Sequence, residues 1–448
     1  MTPRRDTPLR WENWARTERC QPEQEAVPAD LEDLVAAVRA AGAAGRRLRV
    51  VGAGHSFTGA AVTDGVMVRL DRLAGVGPVA TAADGTTTVT VGAGIRLGAL
   101  NRTLAARGLA LPNLGDIDRQ SVAGAICTGT HGTGVRLPGI SGQVTAVRVV
   151  SAAGEVHEAS PDARPELFEA ARLGLGSVGV LAAVTLAVVP AFLLAAREEP
   201  WPLDRVLEEL SGPDGLVEAN DHFEFYWFPH TRRTLTKRNN RCPAATPEPL
   251  GRVRRWVDDE LLSNATFEVT NRLTDAAPRL TARVNSFAAR ALTARHYRAP
   301  SADVFVSPRR VRFREMEYAI PRAALPQVLA ELDAWIESSG EQVSFPVEVR
   351  FAAADDVWLS TAHQRETAYV AVHAYLRRPH VRYFAAAERI VAAVGGRPHW
   401  GKLHGLAATD LRALYPRFED FLAVRRAEDP GGMFANPYTD RVFGPIAR

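Results

Sequence analysis

Arg49-Val50-Val51-Gly52-Ala53-Gly54-His55-Ser56-Phe57 is a β-branched run that breaks into a glycine turn with an imidazole at its exit. Valines favour the pleated strand. Glycine then lets backbone N–H groups turn toward an anion, because no Cβ blocks positive φ or close approach. A histidine beside such a cradle is placed as a nucleophile or ligand next to a phosphate-bearing cofactor. Taken alone, a surface turn with an incidental histidine fits these residues equally well.

Outward from this turn the chain mixes short strands and helices. Leu31, Leu34, Val35, Val38 and Ala41 share one face, which predicts a helix over Leu31–Ala44 feeding strand Leu48–Val51. Strands are expected at Val66–Leu70 and Thr86–Val91, the latter ending in Gly92-Ala93-Gly94. A helix from Arg96 to Arg107 stops at Gly108. Val144–Ser151 and Val156–Ala159 bracket Ala153-Gly154 as a hairpin, followed by a short helix Leu167–Arg172 and a strand Val178–Val189. No regular βαβ period is present, and no strand feeds G-x-G-x-x-G into a helix, which argues against a Rossmann site.

Beyond residue 190 the texture changes. Aromatics cluster at Phe223–Phe228, Lys237–Leu250 reads as a Pro- and Arg-rich loop, and 264–298 suits helices. Strands at Met316–Ile320, Pro346–Phe351 and Tyr369–Leu376 alternate with helices at Leu325–Ile336 and Tyr383–Val394, which indicates a second α+β domain.

The 448 residues are 46% hydrophobic with a net charge of +3, so neither a nucleic-acid track nor a polybasic membrane surface is indicated. Cys20, Cys127 and Cys242 are too sparse for a disulfide framework or a zinc site, and no metal is expected. Met1–Arg10 is polar, which speaks against a secretory signal. Val178–Leu194, the most apolar stretch, is broken by Pro190 and lacks the length of a membrane span. A cytoplasmic protein is expected. Lys237 and Lys402 are its only lysines.

Three further segments carry chemistry. Leu111-Pro-Asn-Leu-Gly115-Asp116 precedes Ser121-Val-Ala-Gly124-Ala-Ile-Cys-Thr128-Gly129-Thr130-His131-Gly-Thr-Gly134, where small and hydroxylic residues let backbone pack on a flat or phosphorylated ligand. Arg397-Pro-His399-Trp-Gly-Lys402-Leu-His404 sets a lysine between two histidines. Glu348-Val349-Arg350 places both charges on one strand face by period two. Alone, the last is also an ordinary ion pair on a sheet, and His373 an ordinary core histidine.

In this order, V-G-A-G-H-S-F, the S-V-A-G-A-I-C-T-G-T-H-G-T-G run, E-x-R and R-P-H-W-G-K-L-H resemble the FAD-dependent aldonolactone oxidoreductases: gulonolactone, arabinonolactone and alditol oxidases of the vanillyl-alcohol-oxidase type. The likeness runs from Trp11-Glu12-Asn13-Trp14 to Asn436-Pro437-Tyr438. It implies an α+β chain: a two-part FAD-binding domain at 1–190, a substrate-capping α+β domain at 191–395, and a segment at 396–448 that returns to complete the active site. It further implies covalent FAD through His55. Gly52, Ala53, Gly54, Ser56, Phe57, Gly115, Asp116, Ser121, Gly124, Thr128, Gly129, Thr130 and His131 would hold the cofactor, with Val180 near the adenine and His399 at the flavin ring. Glu348, Arg350, His373 and Lys402 would face the substrate. The implied reaction is oxidation of a sugar 1,4-lactone, with oxygen or another redox acceptor taking the electrons. An alditol or polyol oxidase is the alternative, although Gly115-Asp116 stands where alditol oxidases carry Ala-Ser. A flavin-binding protein without turnover is a third reading, opposed by Arg350 and Lys402, which binding alone does not require. Gly115 occupies the position that gates oxygen access in this family.

Overall fold

The computed structural model describes residues 9–243, 246–251, 254, 264–307 and 309–446. Residues 1–8 of the basic N-terminal stretch, and 244–245 of the segment read as a loop, lie outside them.

Two larger sheets and the short antiparallel pair Trp11–Glu12 and Arg19–Cys20 make up the strands of the first half among the described residues. Strands Gln24–Ala26, Val66–Arg69 and Leu48–Val51 are parallel, with Val66–Arg69 in the middle. An antiparallel sheet runs Val156–Ala159, Val144–Val150, Val180–Pro190, Thr87–Gly92, Val76–Thr81, and Leu109–Ala110 pairs with the end of Val180–Pro190. One apolar core joins these sheets to helices Leu31–Ala43 and Leu97–Ala106. The same core takes in Leu411, Phe418, Phe421, Phe434 and Phe443 from the end of the chain.

The chain enters an eight-stranded antiparallel sheet at Leu193. Its order is Arg295–Pro300, Leu193–Pro202, Arg233–Cys242, His222–Phe228, Val347–Ala352, Thr367–Tyr375, Phe313–Pro321 and Arg397–Pro398. Alternation gives this sheet two different faces. Phe223, Phe225, Met316, Ile320, Val347, Val349, Val370 and Val372 pack under helices Leu325–Ser339 and Val381–Ala392. Their strand neighbours Glu224, Tyr226, Glu315, Glu317, Glu348, Arg350 and His373 take the opposite face, toward the glycine loops.

Two sequence readings need correction. Lys237–Cys242 is not loop but part of strand Arg233–Cys242, paired on both sides. Its Arg/Asn composition suggests solvent, yet Lys237 pairs with Glu224, Arg238 with Glu199, and Asn240 Nδ2 donates to Asn220 Oδ1 at 2.8 Å. The stretch read as helical over 264–298 holds helices Phe267–Ala276 and Thr281–Ala291 but ends in strand Arg295–Pro300. Among the described residues, no helix is long and apolar enough to cross a membrane.

Candidate functional site

The glycine turn follows the parallel strand Leu48–Val51. Gly54 has φ +70°, which a side chain would strain. A Cβ on Gly52 would come within 2.5 Å of Ser121 Oγ. That hydroxyl caps helix Val122–Cys127 by accepting from the Gly124 N–H at 3.2 Å. Arg49, buried, ties the surroundings together: its guanidinium donates to the carbonyls of Ala60 (2.8 Å), Phe434 (2.6 Å) and Leu175 (2.6 Å). Between these loops runs a cleft lined by residues 49–56, Ser121, Gly124, Thr128, Gly176, Gly179 and Leu181. Such glycine and hydroxyl lining, with backbone exposed to the cleft, fits the diphosphate and adenosine part of a dinucleotide.

A second cleft of about 590 Å³ shares His55, Ser56, Gln120 and Thr128 with the first and continues beneath the polar sheet face. Its walls include Trp14, Phe57, Asp116, Thr130, His131, Glu317, Arg350, His399 and Lys402. His55 sits at the junction, stacked on Trp14 with centroids 5.5 Å apart. Burial, reinforced by Lys402 and Arg96, lowers its pKa to about 4, so the imidazole is neutral at physiological pH with a free lone pair.

Arg350 is gripped from three sides. Its Nε donates to Glu224 Oε2 at 2.9 Å, while Nη2 pairs with Glu348 and lies 3.5 Å from Asp116 Oδ2. Burial opposes its charge, but Glu348, Asp116 and Glu224 outweigh it and hold the guanidinium charged. Asp116 is partly buried, which opposes its charge, but Arg309, Arg350 and Lys402 keep its carboxyl well below the usual range. Arg309 pairs directly with Asp116 and reaches Glu348 at 3.6 Å.

Lys402 arrives by a different route. Strand Arg397–Pro398 adds to the edge of Phe313–Pro321, and the chain turns back with Lys402 N–H donating to His399 O at 2.9 Å. Lys402 Nζ then lies 2.5 Å from Glu315 and 4.0 Å from Glu317. Trp400 anchors the turn, fully buried with Nε1–H donating to Leu359 O at 2.7 Å. Gly401 O accepts from Phe57 N–H at 2.8 Å and from Ser56 Oγ at 3.2 Å, which fastens the turn to the glycine loop. The His399 ring accepts at Nδ1 from Gly401 N–H at 3.0 Å, and burial lowers its pKa to about 3. His131 stacks on Tyr369 at 3.5 Å and meets Glu317 at 3.2 Å. Although no metal is expected, His131, Glu317 and His399 bring three ligand-capable atoms within 4.8 Å of one another.

The sequence-derived residues are therefore distributed unevenly. Gly52, Ala53, Gly54, His55, Ser56, Phe57, Asp116, Ser121, Gly124, Thr128, Thr130, His131, Arg350, His399 and Lys402 line the two clefts. Glu348 and His373 stand one layer behind. His373 packs edge-on against Phe313, with Nε2 3.6 Å from Glu315 and 3.9 Å from Glu348. Gly115 and Gly129 back the lining, and the Val180 side chain turns into the core while Gly179 and Leu181 face the cleft. Glu224, Lys237, Arg309, Glu315 and Glu317 are additional. Glu315-Met316-Glu317 shows the same period-two charge spacing as Glu348-Val349-Arg350, a signal available in the sequence; Arg309 has none.

A family model described as D-arabinono-1,4-lactone oxidase matches residues 184–442, and one described as FAD binding domain matches 22–160. The chain belongs to the D-arabinono-1,4-lactone oxidase family. It is an FAD-dependent oxidoreductase. Among its relatives in the curated proteins, an L-gulono-1,4-lactone dehydrogenase of Mycobacterium tuberculosis is 39% identical over 435 residues, covering 97% of this chain and 99% of that one. An L-gulonolactone oxidase of Bos taurus is 34% identical over 442 residues, covering 97% and 98%. A solved cholesterol oxidase from B. sterolicum superposes with a TM-score of 0.79 at 18% identity, over 98% of this chain and 97% of that one. That likeness places the family member in the vanillyl-alcohol-oxidase type of FAD-binding fold.

Proposed function

We propose that this protein oxidises a sugar 1,4-lactone of the L-gulono-1,4-lactone type at a carbon bearing a hydroxyl. One observation carries the reading: the Arg350 and Lys402 cations, supplied by strand Val347–Ala352 and by the turn after Arg397–Pro398, reach the same cleft end that His55 joins to the glycine cradle. The lactone names of the relatives support it over an open-chain alditol, as does Asp116 with its charge held by Arg309 and Arg350. FAD, when bound, would supply a two-electron acceptor for the substrate's hydride and a path onward to oxygen or another acceptor.

Residues 1–190 act in this reading as the cofactor domain, 191–395 as the cap and 396–448 as the closing segment that carries Lys402. Gly52 to Phe57, Ser121, Gly124 and Thr128 to His131 hold the diphosphate and ribityl portions, with Val180 contributing through its backbone near the adenine. His399 and Gly115 border the flavin ring. His55 is the covalent tether, and its neutral, partly buried imidazole has the lone pair that such a bond requires.

Arg350 and Lys402 donate hydrogen bonds to the reacting hydroxyl oxygen and stabilise the negative charge that grows there; such preorganised donors act strongly because they need no reorientation. Glu348 and Glu224 hold the guanidinium, and Asp116 takes a further substrate hydroxyl. His373, bridging Glu315 and Glu348, relays protons behind the site rather than touching substrate. The three cysteines are all unpaired, which supports a reducing, cytoplasmic setting.

Anaerobic mixing of the flavin-loaded protein with L-gulono-1,4-lactone, D-arabinono-1,4-lactone, xylitol and sorbitol tests the reading. Lactones are expected to bleach the flavin; bleaching by the alditols alone would overturn it. Denatured protein should stay yellow, and His55→Ala should release the colour.

A further inference from the structure

Five charged side chains lie in direct cross-strand register on the polar sheet face. Arg295 is opposite Glu198, Glu198 opposite Lys237, Lys237 opposite Glu224, and Glu224 opposite Arg350. Their signs alternate across the five strands, and register partners share a face. Arg295 Nε donates to Glu198 Oε2 at 3.0 Å, Lys237 Nζ to Glu224 Oε1 at 3.1 Å, and Arg350 Nε to Glu224 Oε2 at 2.9 Å. Neither Lys237 nor Glu224 lines the substrate cleft.

We propose that Lys237 is a positioning residue for Arg350, acting through Glu224. An arginine beside a carboxylate tends to take both oxygens in a parallel pair of hydrogen bonds. Here Lys237 takes Glu224 Oε1, with the Tyr226 hydroxyl shared between that oxygen at 3.3 Å and Glu348 Oε1 at 3.1 Å, so Oε2 is the oxygen that Arg350 meets. Glu224 therefore meets the guanidinium at Nε alone, and Nη2 stays turned toward Glu348 and Asp116 at the cleft. Without Lys237, Oε1 is free to claim Arg350 as well, and the guanidinium rotates away from the cleft. Lys237 also keeps Glu224 ionised: burial opposes that charge, but Lys237 and then Arg350 hold the carboxyl at about 2. The charged groups facing Lys237 are Glu224 and Glu198, with Tyr226 and Tyr297 beside them.

The proposal rests on the reading that Arg350 meets the substrate. Its test is anaerobic flavin reduction by L-gulono-1,4-lactone across pH in flavin-loaded Lys237→Gln, Lys237→Arg, Glu224→Gln and Arg350→Gln proteins. Lys237→Gln is expected to slow the limiting reduction rate by about 10- to 100-fold, the scale of a small misalignment, with half-saturation changing less. Its acid limb moves to higher pH, because Glu224 loses a cation that favours its charged form. Lys237→Arg restores most of the rate and returns the limb; a purely structural lysine would move stability but not the limb. Glu224→Gln, which keeps shape but removes the charge, is expected to slow reduction similarly, and it carries the test if Lys237→Gln does not fold. Wild-type rate and pH profile in Lys237→Gln, or in Glu224→Gln, would overturn the proposal. Arg350→Gln identifies which premise has failed: if it also reduces normally, the substrate role of Arg350 falls; if it alone is slow, only the positioning role falls.

Discussion

Lys402→Met keeps the length and apolar stem of the side chain and removes its charge. Two effects of different kinds follow. Lys402 Nζ lies 2.5 Å from Glu315, 4.0 Å from Glu317 and 5.2 Å over the Phe57 ring, at the wall of the substrate cleft. Loss of one preorganised donor at a developing oxyanion lowers a rate by about 10²- to 10³-fold, or about 3–4 kcal/mol. The second effect is on Glu315. Burial would raise its pKa, but Lys402 and then His373 hold it at about 2 against an ordinary 4.5. A depressed carboxyl contributes stability that is fully present above about 4.5 and is lost as pH falls toward 2, here on the order of 3 kcal/mol. Without Lys402 much of that contribution disappears, and acid unfolding begins at higher pH. Stopped-flow flavin reduction with L-gulono-1,4-lactone measures the first effect, and acid titration followed by circular dichroism the second. A variant with full flavin content that is reduced within about three-fold of the wild-type rate would remove Lys402 from the chemistry. An unmoved acid transition would show that the Lys402–Glu315 pair adds nothing to the fold.

Three other changes probe separate parts of the site. Gly52→Ala sets a Cβ 2.5 Å from Ser121 Oγ, so the purified protein should carry little flavin by its absorbance ratio; a wild-type ratio would show that the cradle tolerates a side chain there. Gly115→Ala brings a Cβ to 3.1 Å from both His131 O and Thr130 Cγ2, a fit that needs only slight adjustment. It should slow reoxidation by oxygen while leaving substrate reduction intact; equal reoxidation rates would exclude this glycine from the oxygen route. Trp400→Ala empties a fully buried site between Tyr415 and Phe443 and leaves the Leu359 carbonyl without its donor. A loss of about 3–5 kcal/mol is expected in chemical denaturation, and a loss below 1 kcal/mol would mean the turn is held mainly by the Phe57–Gly401 hydrogen bond.

The glycine cradle is legible along the chain, because a β-branched run ending in glycines is read through backbone sterics and needs no distant partner. So is the shared face of Glu348 and Arg350, since strand alternation is local. Charge burial is not local. Lys237 sits in an Arg- and Asn-rich stretch that reads as solvent-exposed until strands from residues 193–202 and 222–228 flank it and supply Glu198 and Glu224 in register. The same holds for Val180, whose side chain packs into the apolar core on one face of its own sheet, and for His373, which the rings of Phe313 and Phe345 hold behind the cleft. Only the tertiary structure could fasten Gly401 to Ser56, 345 residues earlier in the chain, and so bring Lys402 to the cleft. A side chain's propensity travels with the residue, whereas the partner that makes a buried charge tolerable is set by which strands become neighbours.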